Sequence, residues 1–258
     1  MKKIDSTAAL NDGINKILAK SSAICTNFFL PADETERAVV SGEIFTEAWD
    51  GGILIFRKRE TYFRTYFYLA DPAAPVTCEI PAPAVLEIPY RDRDEAAKNA
   101  VRGFTDAGFA PLFQRIRMTR RGSEVYADSD AVRASADDTE KLKVLFRENF
   151  HPLAGCIPTD AELSDEIRAG HILTDDACAG LLHFTEGKAG TELRHLAVEE
   201  AHRNRGIGSA LVRAYLGLCG VKKSTVWVRD DNDAAKKTYE KHGYRADGMK
   251  SAVLIIQK

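Results

Sequence analysis

At 258 residues with 45% hydrophobic and 29% charged residues, the chain is long enough for one large or two small cores, and its formal net charge of −2 gives no reason to expect nucleic acid or an anionic membrane as partner. No stretch approaches the ~20 apolar residues of a membrane span, and MKKIDSTAALNDG lacks an apolar run of signal-peptide length, so a cytoplasmic protein is expected. Cys25, Cys78, Cys156, Cys178 and Cys219 show no CxxC or CxxH spacing, so reduced thiols and no metal are expected.

In chain order, Ile14, Ile17 and Leu18 at helical spacing predict a first helix. A second is opened by Asp33 with Glu36 as a capping pair and closed at Gly42. Strand-like runs follow at Gly52 to Arg57, Tyr62 to Ala70 and Val85 to Tyr90, then a helix from Glu95 to Ala107 and an extended tail, Leu112 to Thr119. These strands are rich in large apolar residues, Ile53, Leu54, Ile55, Phe56, Tyr66 and Phe67 among them, that must face both ways. One face is expected to pack on its own helices and the other to be covered by the second half of the chain, with the two halves forming one body.

The polar stretch from Arg120 to Asp138 holds the junction, giving domains 1–121 and 122–258. In the second half, Leu142, Leu145 and Phe146 mark a helix ended by Pro152, and Thr159 with Glu162 caps a helix that stops at Gly170. An apolar strand ends at Leu196, Ala197 and Val198, and Ser209 opens an apolar helix. The strand Thr225 to Val228, a helix from Asp233 to His242 with Gly243 as its left-handed stop, and the strand Ala252 to Ile256 complete a mixed α/β sheet in each half.

The two halves repeat one another. Gly42 to Glu47 matches Gly170 to Asp175, Gly52 to Phe56 matches Gly180 to Phe184, and Tyr68 to Ala70 matches Leu196 to Val198, all at an offset of 128 residues that is the same in each pair. Phe104 with Gly108-Phe109 likewise mirrors Tyr239 with Gly243-Tyr244. The copies differ after the central strand. The second has Arg203-Asn204-Arg205-Gly206-Ile207-Gly208-Ser209, where two glycines let successive N–H groups approach a ligand and a helix start adds unpaired donors and a positive dipole end, the pattern of an anion cradle. The first has DPAAPVTCEIPAPA, whose prolines carry no N–H and block a helix.

The cradle is neither a Walker loop, since GxxxxGK[ST] is absent, nor a Rossmann fingerprint, since Arg203 replaces the first glycine. An [RQ]xxGx[GA] loop after a strand ending in valine, followed by Asn232-xx-Ala235-xxx-Tyr239-xxx-Gly243-Tyr244, resembles the GNAT acetyltransferase superfamily. The resemblance implies two tandem GNAT-like domains, the first degenerate, and an N-acetyltransferase that moves an acetyl group from acetyl-CoA, a co-substrate, to a primary amine of unknown identity by direct attack in a ternary complex. It implies that Leu196 and Val198 contact the pantetheine, that Arg203, Asn204, Arg205, Gly206, Ile207, Gly208 and Ser209 hold the pyrophosphate, and that Asn232 contacts the cofactor arm. Tyr239 corresponds to the thiolate-protonating tyrosine and Glu192 to the catalytic glutamate of some members.

Each side chain has a second reading. Arg203 and Arg205 are otherwise solvated loop cations, Asn232 a helix cap, Tyr239 a core residue and Glu192 a solvated strand charge. His183 and His195 fall in strand-like segments and read as packed histidines, with His195 a lesser base candidate because alternation sets it on the opposite face from Glu192. The need for a base depends on the acceptor: a lysine-type amine of pKa ~10.4 is free in about one molecule in a few thousand at neutral pH, an α-amine near ~8 in roughly a tenth. A catalytically idle acyl-CoA-binding module, or an acyltransferase with another acyl donor, are the alternatives. A monomer or homodimer is expected.

Overall fold

The computed structural model describes residues 1–122, 131–187, 190–220 and 223–257, so the middle of the expected junction, 123–130, lies outside the described residues. The chain forms two compact units, one of Met1–Arg115 with Met249–Lys258 and the other of Ile116–Gly248. This division differs from the expected 121/122 boundary because the chain passes between units within two long strands, β7 (Ala110–Arg120) and β13 (Arg245–Ile256). No helix among the described residues is long and apolar enough to cross a membrane.

The first unit contains β1 (Lys2–Lys3), α1 (Thr7–Leu18), β2 (Cys25–Thr26), α2 (Ala32–Val40), β3 (Ile44–Trp49), β4 (Gly52–Lys58), β5 (Phe63–Leu69), β6 (Ala84–Tyr90) and α3 (Glu95–Asp106). Its strands run in the order β1-β3-β4-β5-β6-β13, and the pairing is antiparallel except between β5 and β6, which pair in parallel only from Phe63–Ala84 to Thr65–Leu86. Leu54, Phe56 and Phe67 pack with α3 residues Ala97, Ala100 and Phe104 on one face, while Ile55 and Tyr66 pack with Leu10, Ile14, Ala38 and Val39 of α1 and α2 on the other. The unit therefore covers both faces of its aromatic strands with its own helices. This corrects the expectation that the second half supplies one cover.

Two local expectations also change. Pro31, not Asp33, stands at the N-cap of α2, and Asp33 sits one residue inside the helix, where it pairs with Arg37 at 3.1 Å. Leu18 ends α1 on its exposed side rather than in the core. No helix forms between β5 and β6, where the prolines lie.

The second unit contains the end of β7, β8 (Val132–Arg133), α4 (Thr139–Asn149), α5 (Asp160–Ala169), β9 (Ile172–Thr174), β10 (Gly180–Gly187), β11 (Gly190–Val198), α6 (Ile207–Cys219), β12 (Ser224–Arg229), α7 (Asp233–Lys241) and the start of β13. Its strand order is β13-β7-β12-β11-β10-β9-β8. The Thr159 and Glu162 capping box starts α5, and Gly170 at φ 72° ends it. Leu182, Phe184, Leu193 and Val226 pack with α6 and α7 on one face, and Leu181 and Ala197 pack with α4 and α5 on the other.

The 128-residue repeat is visible in the backbone. The parallel ladder of the second unit, Thr191–Ser224 to Leu193–Val226, begins and ends at the repeat equivalents of Phe63 and Thr65. The turn after the last helix is also the same in both: Phe109 N–H donates to Phe104 O at 3.0 Å, and Tyr244 N–H to Tyr239 O at 3.1 Å.

Buried Asn27 is the main polar tie of the first unit. Its Nδ2 donates to Thr65 O (3.2 Å) and Glu87 O (2.9 Å), and its Oδ1 accepts from Phe67 N–H (2.8 Å). Asn27→Ala removes three hydrogen bonds and leaves buried backbone groups unmatched, so a loss of about 2–4 kcal/mol is expected in chemical denaturation. A loss within 0.5 kcal/mol, the scale of an ordinary surface change, would show that water replaces the side chain there.

Candidate functional site

The cradle expected after β11 is built as a loop and a helix head. A single 3-10 turn, Glu200–His202, leads to Asn204 at φ 62° and Gly206 at φ 87°, left-handed backbone that costs a glycine least. Gly206 caps α6, which starts at Ile207, two residues before the expected Ser209. The first bond of the helix is Ala210 N–H to Gly206 O, 2.9 Å, so the N–H groups of Ile207, Gly208 and Ser209 have no acceptor within it, and no side chain caps them. A Cβ on Gly208 would sit 3.6 Å from Val198 Cγ2 and 3.9 Å from Leu196 Cδ2, so the missing side chain leaves free space between the helix head and the end of β11. These groups fit a diphosphate: adjacent open donors, a positive dipole end and no side chain in the way.

Beside the helix head lies an open cleft of about 340 Å³ lined by Arg205, Gly206, Ile207, Ser209, Arg213 and Lys241. The positive field reaches His242, whose pKa is lowered to about 4 by burial and by Arg213, Lys241 and Arg120, so the ring is neutral at pH 7. Its Nε2 is 2.8 Å from Ser209 Oγ, which commits the Ser209 hydroxyl to the protein and leaves its backbone N–H for a ligand. Arg203 is also committed, donating from Nε to Val198 O (3.1 Å) and from Nη2 to Asn149 Oδ1 (3.0 Å), so it fastens the loop to β11 and α4. Asn232 caps α7, its Oδ1 accepting from Ala235 N–H at 3.0 Å.

The second component is a gap between strands. The β11–β12 ladder ends at Leu193–Val226, while β11 runs on to Val198 and β12 to Arg229, so neighbouring backbone on both strands continues without strand pairing across the gap. Four hydroxyls close its paired end: Thr191 Oγ1 to Tyr215 OH at 2.7 Å, Tyr215 OH to Ser224 Oγ at 2.8 Å and Ser224 Oγ to Tyr244 OH at 2.5 Å. Leu196 and Val198 lie on the unpaired part of β11, and half-buried Glu192 lies in the paired part beside Thr225.

A bulge corrects the expected side-chain directions. His183 pairs with His195 and Phe184 with Leu193, so Arg194 is an extra residue in β11. The alternation resets there: Leu193 faces the α6 and α7 core, Ala197 faces the α4 and α5 core, and Glu192 and His195 share a face.

Tyr239 is buried in the core formed with α6, its ring 5.7 Å from Tyr244. Burial, with a smaller contribution from Tyr244, holds its hydroxyl well above the ordinary phenol range, so it stays protonated at every physiological pH. The sequence reading missed a chain of groups on the opposite face, buried at His183 and His195 and half-buried at Glu166 and His171. His171 Nδ1 lies 2.7 Å and His183 Nε2 3.6 Å from Glu166 Oε2, His183 Nδ1 lies 3.0 Å from His195 Nδ1, and His195 Nε2 lies 2.7 Å from Gly155 O. Only the register of the β10–β11 hairpin brings His183 and His195 together, and the bulge hides that register from a pattern of alternation.

Residues 165–246 match the family model described as an acetyltransferase (GNAT) domain. No curated protein matches the chain. Among solved structures, a GCN5-related N-acetyltransferase from Sphaerobacter thermophilus is similar at 13% identity and a TM-score of 0.57, with 81% of this chain and 78% of that one covered. An acetyltransferase of the GNAT family from Colwellia psychrerythraea is similar at 13% identity and a TM-score of 0.54 over 100% and 99% of the two chains, and a GCN5-related N-acetyltransferase from Kribbella flavida at 13% and 0.53 over 86% and 92%. At such identities the structures speak for the fold, and the family model speaks for the sequence. The chain carries a GNAT acetyltransferase domain, recognised by sequence over residues 165–246, within a fold of GNAT type.

Proposed function

We propose that the chain is an N-acetyltransferase whose second unit binds acetyl-CoA and passes the acetyl group to a primary amine by direct attack, and that the first unit is a copy that no longer binds cofactor. The observation that carries this reading is the side-chain-free space at Gly208. It joins the open N–H groups of the α6 head to the unpaired edge of β11, which suits a ligand with a diphosphate at one end and an amide-bearing arm at the other.

The ligand supplies an acyl carbon already activated as a thioester. Ile207, Gly208 and Ser209 hold the diphosphate through backbone N–H groups, with Arg205 beside it, and Leu196 and Val198 offer backbone donors and acceptors to the arm. Glu192 accepts a proton from the amine as it attacks, and the departing sulfur takes a hydrogen bond and then the proton from Tyr239. No covalent acyl-enzyme is needed. The raised pKa of Tyr239 suits this order, because the hydroxyl keeps its proton until negative charge forms on sulfur.

Gly208→Asp tests the cradle. The contacts a Cβ would make there are ordinary, so the variant is expected to fold while its carboxylate occupies the anion position. Calorimetry with CoA should give one site in the native chain and none in the variant. Two sites, or unchanged binding, would overturn this placement of the cofactor.

Tyr239→Phe should leave CoA affinity unchanged and slow turnover by roughly 10²–10⁴-fold, since the equivalent position of the first unit already holds Phe104 in the same turn. Full turnover would make Tyr239 a packing residue. The Glu192→Gln deficit should shrink as pH approaches the acceptor's own pKa, because a free amine needs no base. A deficit constant with pH would place Glu192 in substrate binding.

A further inference from the structure

The repeat that relates the strands also relates Cys25–Phe28 of the first unit to Leu153–Cys156 of the second, and the two stretches are used in opposite ways. In the first unit the chain occupies the edge of β5 itself. Cys25 pairs with Leu69 and Thr26 with Tyr68, Thr26 Oγ1 donates to Phe67 O at 2.6 Å, and Asn27 ties Thr65, Phe67 and Glu87 beyond the point where the β5–β6 ladder ends. The gap is filled by its own chain.

In the second unit the equivalent stretch is rolled into a turn. His151 Nδ1 accepts from Leu153 N–H (3.2 Å) and Ala154 N–H (3.3 Å), Gly155 N–H donates to His151 O (2.7 Å), and Cys156 takes φ 53°. Gly155 replaces Asn27 and has no side chain with which to bridge strands. Because Arg194 is an extra residue, His195, the partner of His183, stands where Tyr66 pairs with Ile55 in the first unit, and it reaches Gly155 O at 2.7 Å. A carbonyl oxygen only accepts, so His195 Nε2 carries the hydrogen; its Nδ1 in the neutral ring is then the acceptor for His183 Nδ1–H at 3.0 Å. The rings lie 8° from parallel, with Phe146 and Phe150 edge-on to His195 at 5.1 and 4.7 Å, so His195 has little room to turn away.

We infer that His195 is a positioning residue: its bond to Gly155 latches the turn at residues 150–156 off the edge of β11 and keeps that edge open for the cofactor arm, whereas the first unit, with Tyr66 and Asn27 at the two equivalent positions, closes its edge with its own chain. The inference rests on the reading that the arm lies along β11. Two positions, 155 and 195, therefore separate a copy that takes a ligand from one that cannot. His183 fixes the tautomer of the latch, and Glu166 stands behind it.

The test is His195→Phe in the full chain, since Phe keeps an aromatic ring between Phe146 and Phe150 but cannot donate to Gly155, with His195→Gln as the conservative rescue because its amide can still donate. In His195→Phe without ligand, hydrogen exchange should quicken at residues 150–156 and slow at Leu196–Val198 as the freed turn moves onto the strand, and CoA should bind about ten-fold more weakly, the scale of one lost hydrogen bond. His195→Gln should restore both. Native exchange at both segments in His195→Phe would overturn the latch whether or not CoA binds. A native chain that does not bind CoA, with exchange altered as expected, would instead remove the cofactor reading and leave the latch. Should His195→Phe fail to fold, His195→Asn, whose amide is too short to reach Gly155, carries the same expectations and the same refutation.

Discussion

A parallel ladder only three residue pairs long sets the terms for each unit. Where β5 and β6, or β11 and β12, stop pairing, backbone N–H and C=O groups remain on strands that run on into a packed interior, and such groups cost about as much as a lost hydrogen bond unless something meets them. The first unit meets them with its own polar groups, Thr26 and Asn27. The second has no such side chain at Gly155. Arg203 takes the Val198 carbonyl, and on the reading proposed above a ligand meets the rest of the edge. On the same reading, binding capacity follows from which partner satisfies an unpaired strand edge.

The head of α6 is the electrostatic counterpart of that edge. Three open N–H groups lie with Arg205, Arg213, Lys241 and Asp175 along one cleft, and His242 is kept neutral by burial first and then by Arg213, Lys241 and Arg120. A protonated His242 could still donate to Ser209 Oγ, but its charge would stand against those of Arg213, Lys241 and Arg120. Tyr239 shows the other extreme. Its apolar surroundings favour the protonated phenol, the form that can answer charge appearing on a leaving sulfur.

Much of this was legible in the sequence because it is local. The Thr159–Glu162 box, the left-handed glycines 170 and 243, the proline-rich gap after β5 and the cradle glycines act within a few residues of themselves, and the constant offset of 128 tied the copies together. The illegible parts are those that depend on pairing at a distance. One extra residue, Arg194, turned His195 onto the face of Glu192, and the same bulge concealed the contact with His183. A two-residue strand, Cys25–Thr26, has no periodicity to detect, although it lies along the edge of β5. Arg203, Ser209 and Asn232 carry the residue types a cofactor site wants, yet their side chains hydrogen-bond within the protein, a distinction that composition and spacing do not make.

The division of β7 and β13 ties the two copies to each other's sheets. Residues Ile116 to Arg120, the end of the first copy's last strand, lie between β12 and β13 in the second unit. There Met118 is part of the core with Tyr239, Arg117 pairs with Asp247 at 2.7 Å and stacks on Trp227, and Arg120 contributes to the field that keeps His242 neutral. In return, residues 250–256 of the second copy pair along β6, and Ser251 donates to Glu87, a carboxylate held in its charged form by Arg115 and Arg64 against the cost of burial. Each copy therefore completes the other's sheet. The exchanged strands lie outside the proline-rich segment 71–84, and deletion of the first copy would take a core strand from the second.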